Sequence, residues 1–89
     1  MISHTTWSFR KELSKLPASV RSQTRLAYQQ FKKDPYYPSL QFKRVHEVKP
    51  IYSARINIDY RAVGIMNDNE MIWFWIGAHS EYDKLLKRL

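Results

Sequence analysis

Residues 71–76 have the sequence MIWFWI and decide the fold. Apolar side chains at consecutive positions leave a β-strand no face for water, so we predict that this strand lies in the interior of a sheet. It runs directly into GAHSEYD at residues 77–83, which is rich in titratable side chains. A buried strand gives polar groups at its end a rigid support, so this end of the strand is a candidate site.

Three other extended segments precede this strand. An apolar pattern at residues 40–45 begins the first, residues 52–58 alternate between apolar and polar side chains in the second, and residues 60–66 form the third. We expect a tight bend near 57–59 and a turn at 67–69, because Asn and Asp tolerate left-handed geometry. The pattern therefore predicts an antiparallel meander.

The N-terminal part of the chain has helical periodicity. Thr5 or Thr6 can cap a first helix, in which an apolar stripe runs from Phe9 to Leu16. Pro17 ends this helix and suits the start of a second one, which places apolar side chains on one face and Arg and Lys elsewhere. The second helix ends at DPYYP, residues 34–38, because each proline disfavours helical geometry in the residue before it. These two helices predict a helical hairpin.

A third helix closes the chain. Ser80 can cap it, and its apolar side chains fall on one face: Tyr82, Leu85, Leu86 and Leu89. Helices first and strands afterwards indicate an α+β fold, with the helices packed on one face of an antiparallel sheet of about four strands. The opposite face would be available for a ligand. We expect one domain over residues 1–89, since the chain is too short for a second core.

Composition narrows the class of protein. The sequence has no cysteine, which excludes disulfides and a thiolate zinc site, and it has no apolar run near the roughly 20 residues of a membrane span. Residues 1–15 lack the apolar region of a signal peptide, so we expect a cytoplasmic protein. Fifteen Lys and Arg against eight Asp and Glu leave a net charge of +7. This charge predicts a polyanionic partner, either a nucleic acid or an acidic protein.

Three segments together resemble one protein family. They are KLPASVRSQTRLAYQQFKKDPYYPSLQFKRV at residues 15–45, YSARINIDYRAVGIM at 52–66, and WFWIGAHSEYDKLL at 73–86. Their order and spacing resemble the RelE/ParE superfamily of toxins from bacterial type II toxin–antitoxin modules. The resemblance implies an acidic antitoxin as partner, which would fold as it binds the basic surface.

The superfamily contains two activities on one fold, and fold alone does not choose between them. Members similar to RelE and YoeB are ribosome-dependent mRNA endonucleases, which implies mRNA and the ribosome as partners. Members similar to ParE inhibit DNA gyrase without catalysis, and a third possibility is a toxin-like protein that has lost activity. His79 together with Arg61 favours the endonuclease, because a gyrase inhibitor needs no acid–base pair.

RNA cleavage without a metal needs a base for the 2′-hydroxyl, an acid for the leaving 5′-oxygen, and cations for the charged phosphorane. No phosphate-binding glycine loop or metal-ligand spacing occurs in the sequence, so we expect no cofactor and no metal. Of the three histidines, His79 alone lies at a strand end with polar neighbours, and imidazole titrates near neutral pH. The alternative is a histidine that only caps the last helix.

The resemblance also assigns the cations. Arg61 in DYRAVG matches a strand arginine that contacts the scissile phosphate in RelE-like and YoeB-like toxins; a salt bridge to Asp59 or Glu70 is the alternative. Arg55 matches a position that is often lysine in RelE-like toxins, whereas Ser53 replaces a second lysine. Because one expected cation is missing, the resemblance favours a YoeB-like arrangement, in which a glutamate base acts with a terminal histidine and the arginine.

The remaining candidates have supporting roles. Glu47 is the candidate for the glutamate base, and Tyr82 either orients or stacks on a base or fills space between the last helix and the sheet. A cationic track along the RNA backbone would be formed by Lys43, Arg44 and Lys49. A solvated charged surface is the alternative for these three side chains.

Overall fold

The computed structural model of the protein describes residues 1–89 as a short strand, a helical hairpin, four further strands and a closing helix. The strands are β1 (Ile2–Thr5), β2 (Lys43–Arg44), β3 (Ile51–Arg55), β4 (Tyr60–Asn67) and β5 (Glu70–Ala78). The helices are α1 (Trp7–Ser14), α2 (Ala18–Lys33) and α3 (His79–Arg88), with a 3₁₀ turn at Pro38–Leu40. None of these helices has the length and apolar character needed to span a bilayer.

The five strands form one sheet in the order β1-β5-β4-β3-β2. The aromatic strand β5 lies between β1 and β4, so the prediction that it is interior is confirmed. β1 runs parallel to β5 and makes the sheet mixed, whereas the sequence predicted about four antiparallel strands. β1 was missed because Ile2 is its only large apolar side chain and is 55% exposed. Backbone pairing, which leaves no trace in hydropathy, holds this strand.

One face of the sheet is covered by the helical hairpin. Phe9 of α1 and Phe31 of α2 pack against the sheet residues Ala54, Ala62 and Trp73. The rings of Phe31 and Trp73 meet edge to face, with centroids 5.2 Å apart. This is the main core, and the predicted packing of the hairpin on the sheet is confirmed.

The other face is covered in part by α3. Tyr82 and Leu85 of this helix pack on Ile51 and Val63 and form a second, smaller core. The expectation that all helices share one face was wrong, because β5 delivers the chain to the side of the sheet opposite the hairpin. The open part of this face is therefore limited to the region beyond α3.

Two element ends differ from prediction, and both follow from hydrogen bonds of the loop before β4. β3 stops at Arg55, because Asn57 Oδ1 accepts from the backbone N–H groups of Asp59 and Tyr60 and closes a turn. Ile58 lies in that turn and is exposed rather than in a strand. α3 has no Ser80 cap; it begins at His79, whose backbone N–H donates to the carbonyl of Asp59 at 2.7 Å.

The predicted cap of the first helix is confirmed, whereas the first predicted strand is shorter than expected. Thr6 caps α1, since its hydroxyl oxygen accepts from the backbone N–H of Phe9 at 3.1 Å. The strand expected from residues 40–45 is reduced to Lys43–Arg44, because Leu40 belongs to the 3₁₀ turn and Gln41 has a left-handed φ of 45°. Leu40 is buried all the same and belongs to the main core.

The pairing of β4 with β5 contains one irregularity. Val63 pairs with Trp75 and Gly64 with Trp73, so Phe74 is an extra residue in β5. At Gly64 a Cβ atom would come within 2.5 Å of the Met71 side chain and 2.7 Å of the Ile72 carbonyl oxygen. The two strands approach this closely only because residue 64 has no side chain.

We predict that Gly64→Ala lowers the free energy of unfolding by about 1–3 kcal/mol, because the methyl group overpacks against backbone as well as side chain. Urea denaturation followed by tryptophan fluorescence measures this loss. Gly77→Ala is the matched comparison, since its methyl group would meet only the Trp75 ring, at 2.7 Å. Equal losses for both variants would contradict this account of the strand contact.

Candidate functional site

Two arginines lie directly opposite each other on neighbouring strands at one end of the sheet. Arg55 of β3 is the register partner of Arg61 of β4, and Arg61 is in turn the partner of Gly77 of β5. Partners in an antiparallel pair have Cα atoms about 4.5–5.5 Å apart and share a face. Alternation along β4 from Val63 places this row on the face that α3 covers in part.

Arg61 is held in place by backbone oxygens. Its Nη1 atom donates to the carbonyls of Asn57 at 2.7 Å and Tyr60 at 3.0 Å, which leaves Nε and Nη2 without a partner. The alternative of a salt bridge to Asp59 or Glu70 is not found, because Glu70 lies instead 3.5 Å from the His4 ring. The guanidinium is thus fixed on one side and free to bind an anion on the other.

His79 lies at the same end of the sheet as Arg61. Tyr60 pairs with Ala78, and His79 follows as the first residue of α3. Its Nδ1 atom is 3.5 Å from a carboxylate oxygen of Asp83, one helical turn on, and its side chain is 49% exposed. A carboxylate at Nδ1 orients the ring and leaves Nε2 for proton transfer. The ring does not cap α3.

Tyr82 belongs to the second core. It is 7% exposed, and its hydroxyl donates to the hydroxyl of Ser53 at 3.2 Å. Of the two roles considered for Tyr82, filling space beneath α3 is the one that this burial fits. Ser53 is also buried, so α3 covers the position at which the resemblance leads one to expect a cation.

Glu47 is not brought near His79. It lies in the loop between β2 and β3, next to His46, whose ring Nε2 is hydrogen-bonded at 3.0 Å to the carbonyl of Leu89. Leu89 follows the last turn of α3, whereas His79 begins it, and ten helical residues span about 15 Å. The structure therefore does not support a shared site for Glu47 and His79.

The three cations proposed for a track divide into different roles. Lys43 is exposed and pairs with Ser53, so it points to the face that carries Arg61. Arg44 instead donates to the carbonyls of His46 and Val48, both at 3.0 Å, and stabilises their loop. Lys49 is exposed in that loop. Lys43 alone extends the charged row.

The positive charge of the protein is poorly neutralised within the chain. Of 15 Lys and Arg side chains, only Lys15 and Lys84 lie within 4 Å of a carboxylate. Both of those pairs are exposed neighbours on a helix and contribute little. The end of the sheet that carries Arg55 and Arg61 is therefore a strongly cationic surface with one exposed imidazole beside it.

Sequence reasoning missed Asn57, whose backbone carbonyl holds Arg61 and whose side chain shapes the turn. The signal available was the sequence NID before Tyr60, since Asn two residues before Asp is typical of an Asx turn. The contact of Asp83 with His79 could also have been expected, because the two residues are four apart, the spacing that brings helical side chains together.

We predict that Tyr82→Phe and Ser53→Ala each cost about 1 kcal/mol in unfolding free energy, because each leaves one buried hydroxyl without its partner. The double variant should lose less than the sum of the two, since neither hydroxyl then remains. Thermal or urea denaturation of the four proteins gives the coupling energy. Strict additivity would show that the 3.2 Å contact contributes nothing.

Comparisons with known proteins agree on the family. Residues 18–84 match the family model described as ParE-like toxin domain. A search of the curated proteins gives no match. Among solved structures, RelE in the RelB–RelE complex from Methanococcus jannaschii is similar, with 20% identity, coverage of 90% of this chain and 95% of that one, and a TM-score of 0.73.

Two further structures cover almost the whole fold. The isolated RelE toxin of E. coli is 18% identical, covers 98% of this chain and 96% of its own, and has a TM-score of 0.66. A copper-bound mutant toxin from Helicobacter pylori is 28% identical over 91% of this chain and 97% of its own, with a TM-score of 0.60. The matched domain covers most of the chain, so this protein belongs to the ParE-like toxin domain family of the RelE/ParE superfamily.

Proposed function

We propose that this protein is a toxin that stops translation by cutting mRNA on the ribosome, without a metal or cofactor, in the cytoplasm. The observation that carries the proposal is the placement of Arg61, Arg55 and His79 at one end of the sheet. An inhibitor that acts by binding alone has no need of an exposed imidazole beside an anion-binding guanidinium.

The geometry suits an attack by the ribose 2′-hydroxyl on the adjacent phosphate. Arg61, with two guanidinium nitrogens free, can brace the phosphate oxygens as negative charge grows in the phosphorane. Arg55, on the neighbouring strand, adds a second positive charge that can bind the RNA backbone. The products are a 2′,3′-cyclic phosphate and a 5′-hydroxyl.

His79 supplies the proton transfer in this proposal. Its Nε2 atom can protonate the leaving 5′-oxygen, while the Asp83 carboxylate stabilises the imidazolium from the Nδ1 side. With Glu47 at the far end of α3 and Tyr82 buried, the chain offers no second acid–base group at this end of the sheet among the residues proposed. The ribosome or the RNA itself then completes the acid–base pair.

The proposed partners follow from the surface and the relatives. RelB is bound to RelE in the archaeal complex, and here an acidic antitoxin segment would meet the same unneutralised cationic end of the sheet. Such a segment would compete with RNA for Arg55 and Arg61. Toxin activity would therefore be released when the antitoxin is lost.

We predict that adding the protein to a cell-free translation extract produces new mRNA 5′ ends, seen by primer extension, and that Arg61→Ala and His79→Ala each reduce them about 100-fold or more. Arg61→Lys keeps the charge but loses the planar guanidinium that binds two oxygens, so its cutting should lie between that of the unaltered protein and that of Arg61→Ala. Arg88→Ala, an exposed cation near the end of α3, is the matched control and should cut normally. Unfolding curves confirm that each variant is folded.

A second candidate is inhibition of DNA gyrase, favoured by the ParE-like description of the matching family. Translation blocked without cuts would sink the nuclease proposal, whereas cuts that persist in both alanine variants would overturn the roles given to Arg61 and His79. A supercoiling assay with purified gyrase then tests the alternative directly, and inertness in both assays would indicate a toxin fold without activity.

A further inference from the structure

A second surface feature lies beside the arginine row, on the hairpin side of the sheet. It is a cleft of about 410 Å³ between α2, the 3₁₀ turn and the end of β3. β2 pairs with β3 only as far as Ser53, so beyond that residue β3 forms the edge of the sheet and the cleft opens there. Arg55, the partner of Arg61, is one of its lining residues.

The cleft has an apolar floor and a polar rim. Leu40, only 2% exposed, lies in the floor with Ala27 and Ile56. A concave apolar floor with a few polar groups around it is the usual character of a small-ligand site, and pockets of about 300–1,000 Å³ are typical. Its size therefore suits one nucleotide rather than an extended helix.

The rim groups have unused hydrogen-bonding capacity. The Gln30 amide, the Ser39 hydroxyl, the Tyr37 phenol and the Arg55 guanidinium make no side-chain hydrogen bond or ion pair within the chain. Gln23 accepts from the Asn57 side chain at 2.6 Å, which fixes its amide and leaves its NH₂ group free. The fixed Gln23 amide and the free Gln30 amide together give the rim donors and acceptors, of which those of Gln23 are already held in position.

The chemistry of the rim favours a nucleobase. Amide side chains form paired hydrogen bonds with base edges, and an exposed aromatic ring such as Tyr37, at 45%, offers a stacking surface. No Asp or Glu lines the cleft, and Arg55 supplies its single positive charge. One cation among several neutral donors fits one phosphate joined to a base better than an acidic peptide, which needs several cations.

We propose that this cleft is a base-reading subsite for single-stranded RNA. It takes the base of one nucleotide on Tyr37, reads its edge with Gln30 and Gln23, and holds its phosphate on Arg55. The cleft lies on the hairpin side of the sheet and the arginine row on the side of α3, and Arg55 at the end of β3 is the residue that the two have in common. As a selector of cleavage position the subsite rests on the proposed function, whereas its affinity for a nucleotide does not.

Binding is tested with the full-length protein and the four homodinucleotides ApA, CpC, GpG and UpU, followed by amide chemical shifts. We expect shifts at residues 30, 39 and 55 and a preference for one base. Tyr37→Leu should weaken binding about tenfold by loss of stacking, and Gln30→Ala should reduce the base preference about fivefold. Tyr36→Leu and Gln29→Ala, neighbours that do not line the cleft, are the matched controls and should bind as the unaltered protein does.

Shifts that avoid the cleft, or equal losses in the variants and their controls, would overturn the subsite. The subsite would also be overturned if RNA failed to displace the bound dinucleotides and a poly-glutamate peptide bound tightly at the same residues. Primer extension separates the two proposals. Normal cutting with an unchanged choice of sites in Gln30→Ala removes the subsite alone, while nucleotide binding in the cleft without any cutting removes the nuclease alone.

Discussion

The structure depends on the burial of β5 from both sides. Trp73 faces the hairpin core and Trp75 faces the core beneath α3, so one strand joins two hydrophobic clusters. It also pairs with β4 along one edge and, at Glu70–Trp73, with β1 along the other, which satisfies many of its backbone groups. β1, β4, α1 and α3 all contact this strand, and the position of His79 follows because α3 begins where β5 ends.

The site works against the stability of the sheet. Like charges directly opposite each other on paired strands are unfavourable, and Arg55 faces Arg61 with no carboxylate near either guanidinium. Backbone carbonyls of Asn57 and Tyr60 offset part of the cost at Arg61. A phosphate or carboxylate bound there would offset the rest and would stabilise the folded protein.

Much of the fold could be predicted from the sequence because its period is strong. Helical spacing in the first 33 residues and the apolar run at 71–76 identified the hairpin and the central strand. Local sequence and the family resemblance made Arg61 and His79 candidates, and the structure places both at one end of the sheet. The features that the sequence did not predict depend on contacts between residues distant in sequence. β1 is held by a backbone partner about 68 residues away, and the separation of Glu47 from His79 is set by the whole length of α3.

The parallel pairing of β1 with β5 has a consequence for synthesis of the chain. Ile2–Thr5 is made about 68 residues before its partners Glu70–Trp73. Until then β1 has no strand to join, and Arg61 and His79 lack the strand order that places them at one end of the sheet. Contacts so far apart in sequence form late because the loop between their ends must be closed at an entropic cost. The nascent chain therefore cannot bring Arg61 and His79 to one end of the sheet before β5 has been made.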